Sequence, residues 1–363
     1  MAQVAGPTCG YRVVQLHPLL RCNLRCRHCY STSSPAQHRS LSLEKLSATL
    51  DVLRAEGFNA ASISGGEPLL YPELPELLQH IRELDMIATV TTNAMLLDDK
   101  RAAMLQRETN LVAVSLDGQP ESHNRVRSHP LAFERMVKGV ARLKAAGVPF
   151  GFIFTLTLHN LHELAWVADF AVAQGAGLLQ VHPLEEVGRA ASELIGSAPD
   201  NLELARAFVE VARLQKQYVG SLTIQYDVAD LVRLRTAPER GYAVEPAAAN
   251  ETSAAQLADL IAPIVVEADG TIVPLQYNFS RTYQIGDINA DALPEQFQGW
   301  KERSYPKFLE LCRGVYDRLM QPAATEFPFV NWYSEVLTAS HSSSRSTQLA
   351  SDVAPKLGEE IVT

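Results

Sequence analysis

Strand and helix signals alternate six times between residues 11 and 218, and that alternation narrows the fold more than anything else in the chain. The β-rich runs are 11–17, 60–64, 86–92, 111–116, 148–158 and 177–184; helical patterns follow each, over 42–56, 72–84, 98–107, 131–146, 161–174 and 200–218. In the first helix Leu43, Leu46, Leu50 and Leu53 fall on one face at helical spacing. Ser42 is placed as its N-cap, Leu41 and Leu46 as a hydrophobic staple, and Gly57 as its stop. Leu74, Leu77, Leu78 and Ile81 repeat the pattern in the second. The strands are continuous apolar runs, such as LVAVSL at 111–116, which is the pattern of a parallel sheet covered on both faces. Six units are fewer than the eight of a complete β/α barrel. A partial barrel and a doubly wound sheet both remain open on pattern alone.

The pattern changes after residue 235. Residues 236–256, rich in Ala, Pro and Glu, read as a connection, and 264–275 as a hairpin turning at Asp269-Gly270. Residues 284–288 are a third strand, and 294–320 are helical, with Trp300 and Phe308 for packing. These changes divide the chain into a body over 1–235, a cap over 236–335 and a polar, Ser-rich tail over 336–363 that is expected to be disordered. The chain is 47% hydrophobic, enough for a sizeable core, and its net charge of −9 argues against nucleic acid as a partner. It contains no apolar run of the roughly 18–20 residues that span a bilayer and no basic, then apolar, signal segment. A cytoplasmic, reducing location without membrane partners is expected.

Three of the five cysteines, Cys22, Cys26 and Cys29, fall within eight residues directly after the first strand, spaced C-x3-C-x2-C. Three thiolates on a short loop can wrap a soft metal centre. A structural zinc site wants four ligands, whereas three leave an iron–sulfur cubane with one iron free to bind a small molecule. A zinc site completed by His28 or a remote ligand, and a chance group of reduced thiols, are the competing readings. Arg21, Arg25 and Arg27 are placed to offset the thiolate charge. The next strands end in Ser64-Gly65-Gly66-Glu67-Pro68, in Thr91-Thr92-Asn93, and in Ser115-Leu116-Asp117-Gly118 followed by His123 and Arg127. Parallel β/α folds bind ligands at the carboxyl ends of strands, so these segments converge on one mouth. His159 and Asn160 lie just past the fifth strand and His182 and Glu185 at the end of the sixth, and none of them is assigned a catalytic role.

The cysteine loop, with Gly-Gly-Glu-Pro one unit later, resembles the radical S-adenosylmethionine (radical SAM) superfamily over roughly residues 11–220. The resemblance implies an α/β fold, a partial (β/α)6 TIM-like barrel with a small α+β C-terminal extension. It implies that Cys22, Cys26 and Cys29 hold a 4Fe–4S cluster whose open iron chelates the methionyl end of S-adenosylmethionine. His28 would lie along the adenine, and Gly65, Gly66 and Glu67, followed by Pro68, would meet the methionyl amine, with Asn93 in the same site. Ser115 and Arg127 match the Ser-x-Asp-Gly…His-x-x-x-Arg spacing of the sulfatase-maturing and peptide-modifying branch, where they contact the cofactor carboxylate. The implied activity is cleavage of S-adenosylmethionine to a 5′-deoxyadenosyl radical. That radical takes hydrogen from a peptide or a natural-product or cofactor precursor, with a flavodoxin- or ferredoxin-type electron donor. A non-catalytic iron–sulfur scaffold or electron carrier, and a zinc-binding structural protein, are the alternatives.

Pro183-Leu184, Gly188-Arg189, IVVEADGTIVP and QIGDI resemble the SPASM or twitch extension of that branch. Leu275 and Gln276 follow Pro274 where a cysteine is common, and the hairpin holds none. The implied extension is therefore a degenerate, iron-free cap that shapes the substrate pocket. Cys312 is read as a buried core thiol and Cys9 as a core or surface thiol, with a hydrogen-atom donor as the other role for either. About 20 residues precede the cysteine loop, too few for a separate leader-peptide recognition domain.

Overall fold

The computed structural model describes residues 10–241, 249–321 and 329–352. Strands β1 (Val13–Leu16), β2 (Ala60–Ile63), β3 (Ile87–Thr92), β4 (Leu111–Ser115), β5 (Phe150–Leu156) and β6 (Leu178–Pro183) pair in parallel, each with the next. Helices cover one face. The helix Leu43–Ala55 is capped by Ser42, whose side chain accepts from the Lys45 amide, and it buries Leu46, Leu50 and Leu53. Leu74–Glu83 likewise buries Leu74, Leu77, Leu78 and Ile81. The core between sheet and helices holds the fully buried Leu16, Ile63, Phe152 and Phe154.

A seventh parallel strand, β7 (Thr223–Tyr226), adds to β6 and was not expected. Its side chains alternate exposed and buried because it has solvent on one side, so it lacks the continuous apolar run that marks the other strands.

The C-terminal part continues the same sheet. After the short β8 (Ala229–Asp230), β9 (Ile264–Val266) lies parallel to β1, with Val14 opposite Ile264. The hairpin is completed by β10 (Thr271–Pro274), antiparallel to β9, and β11 (Gly286–Asp287) adds to β10. A ten-stranded sheet results, in the order β11-β10-β9-β1-β2-β3-β4-β5-β6-β7. The expected helix over 294–320 is two helices, Leu293–Arg303 and Tyr305–Leu319, parted at Ser304 where Pro306 enters the next first turn. The strand β12 (Phe329–Val330) pairs with β8.

The expected disordered tail is corrected in part: Trp332–Asp352 is a helix. Val336 and Leu337 are buried in the core, which gives this otherwise polar segment an apolar anchor. Residues 353–363, part of the 236–256 connection, and Cys9 lie outside the described residues. No helix of the described residues is long and apolar enough to cross a membrane.

Candidate functional site

The cysteine loop crosses the carboxyl ends of β1 and β2. Cys22 and Cys26 are buried and Cys29 half-buried, and the three gather with Leu24 and Met95. The loop is fastened along its backbone: the Cys22 amide donates to the Ser34 carbonyl, the Arg27 amide to that of Val126, and the Glu67 amide to that of Arg21. The glycine pair after β2 makes this approach possible. Gly65 has φ of +102°, and a Cβ on Gly66 would lie 2.1 Å from the Arg21 carbonyl oxygen. A second clamp comes from the segment after β6. The buried Arg189 donates from Nη1 to the Cys26 carbonyl and from Nη2 to the Ser33 carbonyl (2.7 Å), while its amide donates to the Cys29 carbonyl (3.0 Å).

Glu67 is buried and saturated by donors. Its Oε1 accepts from Thr92 Oγ1 (2.6 Å) and the Leu69 amide (3.2 Å), and its Oε2 from the Asn93 amide (2.9 Å). Burial pushes its carboxyl group up, while Thr92, Asn93 and Leu69 pull the other way. Pro68 opens the 3-10 turn Pro68–Leu70, and Asn93 Nδ2 donates to Asn23 Oδ1 (2.8 Å). The ends of β2 and β3 are thereby tied to the cysteine loop.

Asp117, wholly buried after β4, is the other hub. Its Oδ2 accepts from Arg127 Nε at 2.6 Å, and its Oδ1 lies 3.4 Å from His28 Nε2. Its amide donates to His123 Nδ1 (3.2 Å), and its carbonyl accepts from Asn160 Nδ2 (3.1 Å). Arg127 and His123 stand on one face of the helix Pro120–Arg127, four residues apart. Arg127 Nη1 donates toward Cys26 Sγ at 3.8 Å. Ser115 is half-buried at the end of β4. Burial works against the Asp117 carboxylate, but Arg127 and His28 hold it well below the usual range. Burial, with the Arg127 charge, lowers His123 to about 3, so its ring is neutral and its bare Nδ1 receives the Asp117 amide.

Burial raises the Cys22 thiol to about 12 and the Cys26 thiol to about 11, with Arg127 opposing the rise at Cys26. A cation beside the thiols is thus Arg127, and the expected role is corrected for Arg25 and Arg27. Arg25 pairs with Glu193 at 2.8 Å, and Arg27 donates to the Glu193 carbonyl at 2.8 Å, because both side chains point outward and half into solvent.

A polar group lies farther along the mouth. His182 Nδ1 meets Asp227 Oδ2 at 3.1 Å, and Gln180 Nε2 donates to the same oxygen at 2.6 Å. Glu185 Oε1 accepts from Gln276 (2.6 Å) and Asn331 (3.1 Å), which bring the second residue after β10 and the residue after β12 over the β6 end. Burial would lower His182, yet the hydrogen bond to Asp227 and the charge of Glu185 raise it to about 9. His182 and Glu185 stood out in the sequence; Asp227 did not, because the short strand before it was unrecognised. Asn160 is structural, its Oδ1 accepting from Thr157, and His159 bonds Ser197. Tyr277 stacks on His17 with ring centroids 4.9 Å apart, and Tyr283 packs on Phe279. Cys312 is a buried core thiol, pushed by burial up to about 12.

Residues 17–171, the stretch that holds all three loop cysteines and both hubs, match the family model of the Radical SAM superfamily. Over that stretch the chain is similar to the radical SAM superfamily. It is 35% identical over 152 residues to the Fe-coproporphyrin III synthase of Methanosarcina barkeri, covering 41% of this chain and 38% of that one. It is 28% identical over 186 residues to the subtilosin biosynthesis protein AlbA of Bacillus subtilis, covering 46% and 41%. The chain thus spans well under two thirds of these curated relatives. In fold it is similar to anSMEcpe solved with AdoMet and a peptide, with a TM-score of 0.62 at 17% identity over 94% of this chain and 99% of that one. It is also similar to SuiB of Streptococcus suis bound to S-adenosylmethionine, with a TM-score of 0.61 at 18% identity over 80% and 68%.

The residues of this stretch fit the group that family uses, a 4Fe–4S cluster with S-adenosylmethionine. Asp117 Oδ1 and His28 Nδ1 are buried without a hydrogen bond, beside the thiols that would ligate it. Among the described residues no three His, Cys, Asp or Glu side chains close on a single-ion position. A cubane does not require that, since each thiolate takes a different iron.

Proposed function

We propose that this chain is a radical SAM enzyme in which Cys22, Cys26 and Cys29 ligate a 4Fe–4S cluster. When bound, the reduced cluster and S-adenosylmethionine supply a 5′-deoxyadenosyl radical that takes hydrogen from the substrate. The observation that carries the reading is the convergence of three thiols from one loop with the buried guanidinium of Arg127, 3.8 Å from Cys26 Sγ. Gly65 and Gly66 bring backbone close to the loop and set the place of the methionyl end. Arg127 Nη2, which has no protein partner among the described residues, is the arm free to meet the cofactor carboxylate beside Ser115. His28, held over Asp117, would flank the adenine. Glu67 and Asn93 keep the loop and the β3 end in register.

The substrate would sit in the mouth under the iron-free C-terminal extension. Relatives named for tetrapyrrole synthesis and for bacteriocin biosynthesis favour a peptide or a biosynthetic precursor. A flavodoxin- or ferredoxin-type protein would deliver the electron. The test is anaerobic reconstitution of the full chain with iron and sulfide. About four irons per chain and 5′-deoxyadenosine from S-adenosylmethionine and dithionite are expected. Iron without cleavage would make the chain a scaffold or electron carrier, and zinc alone a structural metal protein. Cys26→Ala should lose iron and cleavage together; retained cleavage overturns the reading.

A further inference from the structure

The contact between Arg127 and a ligand sulfur raises a question about how the cluster's electron affinity is set in this chain. The inference rests on the cluster-binding reading above. The Arg127 guanidinium is planar, so gripping it at Nε fixes the direction of both Nη groups. Asp117 Oδ2 does the gripping, at 2.6 Å, and the result is Nη1 directed at Cys26 Sγ.

Asp117 has little freedom to move. Its amide is bound to His123 Nδ1, its carbonyl to Asn160 Nδ2, and its carboxylate is wholly buried with Oδ1 over His28. Arg127 is the last residue of its helix, and Ser128 turns away in the left-handed region (φ 54°), so the guanidinium reaches the loop from a fixed base. Arg25 and Arg27 do not compete, since they engage Glu193.

We propose that Asp117 is a positioning residue that holds the Arg127 guanidinium on the Cys26 sulfur, and that this contact makes the cluster easier to reduce. Positive charge and N–H donors on ligand sulfurs favour the reduced state of iron–sulfur clusters, and the effect grows where water is excluded. The anionic Asp117 by itself would act the other way. The two roles of Asp117 therefore predict opposite signs, which separates positioning from bulk charge.

The test is an EPR-monitored redox titration of the reconstituted full chain without S-adenosylmethionine, for wild type, Arg127→Gln, Asp117→Ala and the double variant, with iron content measured for each. Arg127→Gln should lower the reduction equilibrium constant about tenfold, which is 59 mV for a one-electron couple. Asp117→Ala should shift it in the same direction in the wild-type background and add no further loss in the Arg127→Gln background. A higher potential for Asp117→Ala, or an equal downward shift in both backgrounds, overturns the proposal. If Asp117→Ala takes up no iron, Asp117→Asn serves: its neutral amide holds the guanidinium less firmly, so a lowered potential supports the positioning role and a raised one overturns it. Absence of iron in the wild-type chain would instead sink the cluster reading, and this inference with it.

Discussion

Arg189 donates through one arm of its guanidinium to the carbonyl of Cys26, 163 residues earlier in the chain. The segment after β6 thus holds the cysteine loop from its outer side, as the glycine pair after β2 seats it from beneath. Arg189→Ala would remove two charge-assisted hydrogen bonds, leaving the Ser33 carbonyl unpaired, at about 1–3 kcal/mol, and the Cys26 carbonyl with the Cys29 amide at 3.4 Å. Urea unfolding should show a loss of about 3 kcal/mol, accompanied by reduced iron uptake. Arg189→Lys should recover only part of both, since an ammonium cannot span two carbonyls as a fork does. Unchanged stability would show that the clamp is idle.

Gly66→Ala places a Cβ 2.1 Å from the Arg21 carbonyl oxygen, so the loop must shift. Iron bound per chain should fall while the circular dichroism spectrum is kept. Gly314→Ala, where a Cβ meets nothing within 4 Å on an exposed helical turn, is the control. It should gain about 0.5–1 kcal/mol and leave iron uptake alone. Equal iron binding by both variants would contradict the close-approach argument.

His182 gives a dependence on alkaline pH. Its value is raised from 6.5 in the unfolded chain to about 9 in the fold, so its contribution is complete below pH 6.5 and is lost as pH climbs through 9. The urea midpoint should fall between those limits. Asp227→Asn removes the main partner that raises His182 and should flatten the fall; an unaltered slope would locate its origin elsewhere.

His17 gives the opposite dependence. Burial lowers it to about 3, so the unfolded chain takes up a proton that the fold refuses, and stability drops as pH falls below 6.5. At 1.36 kcal/mol per unit the cost at pH 5 is about 2 kcal/mol. His17→Phe, which keeps an aromatic face for Tyr277, should reduce the acid slope and leave the share of His123, also lowered to about 3. A slope unchanged by this substitution would count against the buried neutral ring.

The six helices that alternate with the first six strands, and those strands themselves, could be read from periodicity, because leucines such as Leu46, Leu50 and Leu53 mark a buried face locally, whereas the short helix Pro120–Arg127 could not. The cysteine loop and the strand-end motifs were legible for a similar reason: spacing and chain position are local properties. The parallel pairing of Val14 with Ile264 carries no local signal, since any β-rich run could have joined any free edge. Nor did Asp117 announce its central place. The residue stood in a recognised motif, but its grip on Arg127 and His28 depends on burial and side-chain direction. Arg189 was noticed only as part of a resemblance, and its role became visible once two carbonyls were found at the ends of its fork. The helix beginning at Trp332 was hidden because few buried side chains, among them Val336 and Leu337, anchor a largely polar stretch.

β1 takes one neighbour, β2, from early in the chain and the other, β9, from residues 264–266. During synthesis on the ribosome, the strand that carries the thiol loop therefore has one row of amides and carbonyls bare until the last third of the polypeptide has emerged. A nascent chain stalled before the hairpin would present a sticky border where the finished molecule has a wall.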